Sequence, residues 1–350
     1  MAEVKIGPFS VGGRNPPVVI AEVGINHNGD VEQACRMIAV AREAGCDAVK
    51  FQTFKAAEFV VDAEATYTYK SQGKEVTESQ LTMFRRYELS RDDFVRIKQV
   101  CVEQGMLFLS TPQNYSDLDL LLGVGIEAIK VGSDDFINIP LLKSYATTGL
   151  PLILSCGMAD LAEIHRSLDA VGAFDGYPVI LLYCISLYPT PAEAVNLNKL
   201  LALQRTFPTL PIGFSDHSQG PLASSLATAL GACLLEKHFT LDHNLPGPDH
   251  WFSEDPDGLK QWVTGIRQAN AMMGSGLLRP TTSENEMRGI CRRSLVVLRD
   301  VREGEELTPD NIGLRRPGSG LPAELLETVL GRRALRPLAR HDLLALGDFR

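Results

Sequence analysis

The sequence predicts an α/β protein of the (β/α)8 TIM-barrel class followed by a small β-rich domain, and three observations carry that prediction. Short apolar runs alternate with amphipathic stretches eight times between about residues 17 and 273, a cadence that imposes parallel pairing through right-handed crossovers. No Gly-rich dinucleotide turn follows the first run, as an open doubly wound sheet would commonly show. After about residue 280 the helical period fades and short strand-like pieces alternate with turns.

The first strand is Pro17 to Val23, a β-branched run of the kind buried on both faces. Beyond a turn ending at Gly29, Asp30 caps a helix with the apolar stripe Ala34, Met37, Ile38 and Ala41, which Gly45 ends. Residues 47–52 form the second strand. Further strands fall at about 106–110, 127–131, 151–154, 178–183, 211–214 and 232–237. Helices lie at about 91–104, 115–123, 139–148, 160–172, 192–206, 219–230 and 255–273. Residues 53–90 are too long for an ordinary loop, polar and tyrosine-rich, and read as an inserted lid. A linker near 275–290 leads to strand-like pieces at 294–298, 312–314 and 334–335. The domains are drawn at 1–280 and 281–350.

The net charge of −9 includes no basic block, which argues against nucleic acid as a partner. No apolar run spans a bilayer, and Met1 to Ser10 lacks a signal-peptide core, so no membrane role is expected. The seven cysteines form no CxxC pair and read as reduced thiols of a cytoplasmic protein.

Barrel chemistry sits where strands end and βα loops begin. Those positions hold Glu22; Lys50 and Gln52; Ser110 and Thr111; Lys130, Ser133, Asp134 and Asp135; Ser155; Tyr183, Ser186 and Tyr188; Ser215, Asp216 and His217; Glu236 and His238. Polar groups after every apolar run mark a site. Two lysines among hydroxyls suit a phosphate or carboxylate. A Schiff-base lysine is the competing reading, and each lysine alone could be a snorkelling surface group. His217 and His238, on adjacent strands and each beside a carboxylate, read as a metal pair with open positions, suited to catalysis. His27 reads as a turn residue, and the Pro246–Pro248 loop places Asp249 near the mouth.

The sequence resembles the sialic acid synthase family, the N-acetylneuraminate synthases and relatives making nonulosonic acids. The resemblance rests on Ala21 to Gly29 (AEVGINHNG), Lys50 to Thr53 (KFQT), Ser110-Thr111-Pro112, Lys130 to Ser133 (KVGS) and Ser155 to Met158 (SCGM). Further matches are Tyr188 to Pro191 (YPTP), Gly213 to His217 (GFSDH), Glu236 to Thr240 (EKHFT), Pro246 to Asp249 (PGPD) and Arg315 to Gly320 (RRPGSG). They run in order through nearly the whole chain.

The resemblance implies a barrel with a C-terminal antifreeze-like (SAF) domain, and a homodimer in which that domain caps the partner's barrel. It implies condensation of phosphoenolpyruvate with an open-chain mannose-type sugar, N-acetylmannosamine or a related hexose, and water. The products are a sialic or nonulosonic acid and phosphate. A divalent metal, manganese with Mg2+ or Co2+ as alternatives, would sit on His217 and His238. Lys50, Thr111, Lys130, Ser133, Ser155, Ser186 and Ser215 would hold phosphoenolpyruvate. Gln52, Asp135, Tyr188 and Asp249 would touch the sugar, with Arg316 reaching it from the other subunit. Glu22, Lys50 and Lys130 would be catalytic, Glu22 managing the proton or the water. Two departures bear on the choice of sugar: Ser133-Asp134-Asp135 stands where the family often has Ser-Gly-Glu, and Ile185-Ser186 where many members have Thr-Asn. A pyruvate-dependent sugar aldolase and a non-catalytic carbohydrate-binding protein are the alternatives.

Overall fold

A computed structural model describes residues 3–61 and 64–350. The chain divides into two compact units, the first ending at Gly274 and the second Ser275–Arg350. In the first, eight parallel strands form one sheet: β1 (Val18–Gly24), β2 (Ala48–Thr53), β3 (Leu107–Pro112), β4 (Ile129–Val131), β5 (Leu152–Ser155), β6 (Val179–Cys184), β7 (Ile212–Asp216) and β8 (Leu234–His238). Their hydrogen-bonded order is β3-β2-β1-β8-β7-β6-β5-β4, and β3 packs beside β4 to bring the two edges together as a near-closed barrel.

Period-two alternation sorts each strand between two cores. In β1, Val19, Ala21 and Val23 face the surrounding helices, while Val18 and Ile20 face the barrel interior. In β6, Leu181 faces out and Ile180 and Leu182 face in. Gly213 is small because two strands crowd it: a Cβ there would lie 2.5 Å from both Leu182 Cδ2 and the Leu234 carbonyl oxygen.

The helices start where the side chains can cap them. Asp30 accepts the amides of Glu32 and Gln33 ahead of Val31–Ala44. Reciprocal capping boxes at Ser90/Asp93 and Asp160/Glu163 open Arg91–Glu103 and Leu161–Ala170. The expected helix at 192–206 is instead two, Ala192–Val195 and Asn198–Thr206, because Asn196 takes a left-handed conformation (φ +45°).

Two hairpins complete this unit. Glu3–Ile6 pairs with Phe9–Gly12, and Val4, Ile6 and Val11 pack against the interior residues at the N-terminal end of the barrel. In the segment expected as a lid, Thr66–Ser71 pairs with Lys74–Ser79 across Gln72-Gly73, both at positive φ, and Gln80–Tyr87 follows as a helix. Ile25, Phe54, Tyr69, Met83 and Tyr87 form its small core.

The second unit pairs Ser294–Val297 with Ile312–Arg315 around a core that includes Leu295, Val297, Leu307, Val329 and Leu338. Ala334 makes only an isolated bridge, to Phe349, instead of a strand. Thr282–Cys291 is a helix with a Thr281/Glu284 capping box where a linker was expected. Among the described residues no helix is long and apolar enough to cross a membrane.

Candidate active site

The inward-facing rows change character at one level of the barrel. Ile20 is followed two residues on by Glu22, Ala48 by Lys50, Leu109 by Thr111 and Ala128 by Lys130. Ile153 is likewise followed by Ser155, and Leu234 by Glu236 and then His238. The polar groups line a cavity of about 650 Å³ at the C-terminal end of the strands. That volume is ample for two small substrates.

At its base four charges interlock. Lys50 Nζ lies 3.0 Å from Glu22 Oε1 and 3.8 Å from Glu236 Oε2, and donates to Thr111 Oγ1 at 3.2 Å. Lys130 Nζ donates to Ser155 Oγ at 2.7 Å and to the Val131 carbonyl, and stands 3.7 Å from Glu236 Oε1. Ser215 Oγ donates to the same Glu236 oxygen at 2.9 Å. All four charged side chains are buried. Burial pushes the Glu22 carboxyl up to about 7, with Lys50 only partly opposing the rise. Burial also pulls Lys130 below the usual lysine range. For Lys50, the charges of Glu22 and Glu236 more than offset burial and hold it above that range. Glu22 Oε2 and Glu236 Oε2 have no hydrogen-bond partner. One oxygen of Glu22 is therefore tethered and the other free.

His217 and His238 stand side by side, ring centroids 5.6 Å apart. His217 Nδ1 is 2.7 Å from the Ile185 carbonyl oxygen, and an N–H donated there leaves the Nε2 lone pair free in the neutral ring. His238 Nδ1 is buried without a hydrogen-bond partner. Burial, reinforced by the neighbouring cations, pushes His238 well below the usual histidine range and keeps it neutral. Burial pulls His217 down, but Cys184 and the Ile185 carbonyl more than offset it and hold the ring above the usual histidine range, so the pair fits a divalent cation once His217 gives up its Nε2 proton on binding. Among the described residues no group of three or more His, Cys, Asp or Glu side chains is placed to hold one. The Tyr188 and His217 rings lie 4.0 Å apart between centroids, tilted 31° to each other.

Alternation separates the carboxylates that the sequence sets beside the two histidines. Glu236 points inward, whereas Asp216 points behind the strands to Lys237 Nζ at 2.9 Å. The Lys237 ammonium also donates to the carbonyls of Ser218 and Gly220 and lies 3.7 Å from Glu254 Oε1. Asp216 accepts in addition from the Ser218 amide and from the hydroxyls of Ser218 and Ser224.

Gln52, Ser133, Ser186, Tyr188 and Asp249 also line the cavity. The Ser133 hydroxyl accepts the Gly157 amide, and Asp249 Oδ2 lies 3.9 Å from His238 Nδ1. Among the described residues of the fourth βα loop, Asp134 lines the cavity and Asp135 does not; Asp135 Oδ1 instead accepts from Asn138 Nδ2 at 2.9 Å. Arg316 belongs to the second unit. His27 is a turn residue, its Nδ1 accepting the Gly29 amide. The sequence places Glu236 among the strand ends but gives it no role of its own, although its spacing from His238 puts both on one face. Sequence reasoning missed Tyr67, Lys70, Phe84 and Trp251, which the insertion and the loop after β8 bring to the wall.

Buried lysines, carboxylates and paired imidazoles gathered at the C-terminal end of such a barrel have the make-up of an enzyme site. Residues 37–277 match the NeuB family and residues 292–350 the SAF domain. The chain belongs to the NeuB family. It is 38% identical to the N,N'-diacetyllegionaminic acid synthase of Legionella pneumophila, over 90% of this chain and 89% of that one. It is 32% identical to the human N-acetylneuraminate-9-phosphate synthase, over 95% and 92%. The crystal structure of the N-acetylneuraminic acid synthetase of Leptospira borgpetersenii, in complex with citrate, is similar at a TM-score of 0.73 and 35% identity, over 81% of this chain and 94% of that one.

Proposed function

We propose that this enzyme condenses phosphoenolpyruvate with the open-chain form of a mannose-type sugar, N-acetylmannosamine or a related hexose, and water, giving a nonulosonic acid and phosphate. The observation that carries the reading is the buried Lys50–Glu22–Glu236–Lys130 cluster at the base of the cavity, ringed by Thr111, Ser155 and Ser215. The lysines hold the phosphate and carboxylate of the enol ester, with Ser133 and Ser186 as further donors. Gln52, Tyr188 and Asp249 orient the sugar, and Asp134 takes the place expected for Asp135.

Carbon 3 of the enol ester attacks the sugar aldehyde and forms the new C–C bond as the C=O π pair moves to the aldehyde oxygen, which ends as a hydroxyl with the proton that Glu22 takes from water, and positive charge is left at C2. Water adds at C2 and gives its proton to the free Oε2 of Glu22, while Lys50 steadies Oε1. The tetrahedral centre then collapses to the C2 ketone and expels phosphate by C–O cleavage, the C2 hydroxyl proton leaving with the phosphate and the leaving charge taken by Lys50 and Lys130. A divalent cation, manganese first, would be held by His217 and His238 and would supply Lewis-acid polarisation of the aldehyde. The active form would be a homodimer with Arg316 of one subunit completing the other's site.

Phosphate release should require phosphoenolpyruvate, a mannose-type sugar and a divalent cation together. His217→Ala should lose the turnover and keep the fold by circular dichroism. Release with wild-type rates in that variant would remove the metal assignment. Borohydride trapping of pyruvate on Lys50 or Lys130 would instead establish an aldolase.

A further inference from the structure

We infer that His250 is a positioning residue for this reaction: through Asn28 it fastens the loop that carries Asp249 to the turn after β1, and so sets where that carboxylate meets the sugar. The inference rests on the synthase reading above and adds a residue that does not itself line the cavity. Of its loop, Pro248, Asp249, Trp251 and Phe252 reach the wall, and His250 is buried behind them.

Asp249 lies in a stretch that no regular structure holds. Residues 240–253, between the end of β8 and the bridge of Glu254 to Phe239, form neither strand nor helix. The carboxylate therefore keeps its place through side-chain bonds to neighbouring segments. Ser253 Oγ donates to the Asp249 carbonyl at 2.6 Å and accepts from Asn26 Nδ2 at 3.0 Å. The same Nδ2 donates to the carbonyl of Phe239, next to His238, at 2.8 Å. One residue on from Asp249, His250 Nε2 lies 3.1 Å from Asn28 Oδ1, and His250 Nδ1 lies 2.6 Å from Thr240 Oγ1. The turn at 26–28 thus holds the chain at Asp249 itself and at the next residue.

The bond calls for a side chain that donates at one end and accepts at the other. Asn28 Oδ1 only accepts, so Nε2 carries the proton and the neutral ring takes the Thr240 hydroxyl at Nδ1. Burial keeps the ring in that state, pushing it down to about 4. The loop is folded around it: Gly247 is at φ +148°, and a Cβ there would lie 2.9 Å from His250 Cδ2 and 3.3 Å from Asn28 Oδ1. On the cavity side the same loop presents Asp249 Oδ2 3.9 Å from His238 Nδ1. Its Phe252 ring stands 5.2 Å from that of Tyr188 and 5.4 Å from that of His238 between centroids. A reacting group displaced by about 1 Å can lose on the order of a hundredfold in rate, so a bond behind the wall is felt in front of it.

The test uses the full chain with Mn2+ and phosphoenolpyruvate, and follows phosphate release. The acceptor is whichever of N-acetylmannosamine, its 6-phosphate and a 2,4-diacetamido-2,4,6-trideoxy hexose wild type turns over fastest. His250→Phe keeps a ring and removes both bonds. Should it not fold, Asn28→Gly keeps the left-handed turn (φ +54°) and removes only the acceptor. Each should raise KM for the sugar about tenfold or more, with KM for phosphoenolpyruvate within about twofold of wild type. Adding Asn28→Gly to His250→Phe should cost nothing further, because its partner is already gone. His250→Gln, which can still donate and accept, should recover most of the loss. A fall in kcat with both KM values unchanged, as fewer folded molecules would give, overturns this inference and leaves the synthase reading standing, and so do additive losses in the double variant. No release from wild type with any of the three sugars overturns both.

Discussion

Glu236 stands between two lysines and balances both, with one oxygen 3.7 Å from Lys130 and the other 3.8 Å from Lys50. A buried charge left without its partner typically costs about 3–5 kcal/mol. Glu236→Gln should therefore lower stability by about that amount in a denaturant titration without anions. Added phosphate should stabilise the variant more than wild type, because the anion takes over the missing charge. Equal phosphate shifts in the two proteins would show that the lysines do not form the anion site. His27 offers a pH test away from the catalytic groups. Burial pushes this ring down to about 4, and its Nδ1 accepts an amide, so the fold requires it neutral. The unfolded ring titrates near 6.5, so between those values the unfolded chain binds more protons and stability falls as pH falls. The loss should approach about 3 kcal/mol by pH 4 for this ring, and His27→Gln should flatten the slope.

At the scale of elements, the strand ends were legible in the sequence. Which side chain at each end faces the cavity follows from a period of two that the strand-end reading did not apply: Thr111 lines the cavity, whereas Ser110, Tyr183 and Asp216 bond elsewhere. Runs such as Ile20-Ala21-Glu22 and Leu234-Leu235-Glu236 show both the strand and its inward polar end. Asp134 and Asp135 sit in a loop with no such period, so alternation could not tell which carboxylate reaches the cavity. The inserted hairpin escaped notice because its strands are short and polar, although Gln72-Gly73 carries the signal of a two-residue turn. The helix Thr282–Cys291 escaped because its exposed residues lack an apolar stripe, yet its capping box is visible in Thr281 and Glu284. Lys237 shows what an element does for a site it never enters. Its bonds to the carbonyls of Ser218 and Gly220 tie β8 to the segment that carries His217. Lys237→Met should speed amide exchange at 216–220 and weaken Mn2+ binding by about tenfold or more, with the β-sheet content unchanged. Unaltered exchange there would show that the segment is held by other contacts.

For the whole molecule, the order of a barrel and a small β-rich domain was legible from texture alone, whereas the SAF identity of the second and the proposed dimer rest on kinship. A complementation experiment addresses it directly. Arg316→Ala and His217→Ala subunits, each inactive, are mixed after mild dissociation. If the arginine acts across subunits, half the dimers carry one intact site, and activity should return to about a quarter of wild type. If it acts within its own chain, nothing returns.

The hairpin Glu3–Gly12 and the interior residues it meets fill the N-terminal end of the barrel. The cluster that would take the enol phosphate lies directly above that floor, below the wall that would take the sugar. Traffic must then use the mouth in both directions. A sugar seated first would stand in the way of the smaller substrate, so productive binding has an order: enol ester first, sugar second. Excess sugar should act as a substrate inhibitor that raised phosphoenolpyruvate relieves, and inhibition by phosphate should be competitive with phosphoenolpyruvate alone.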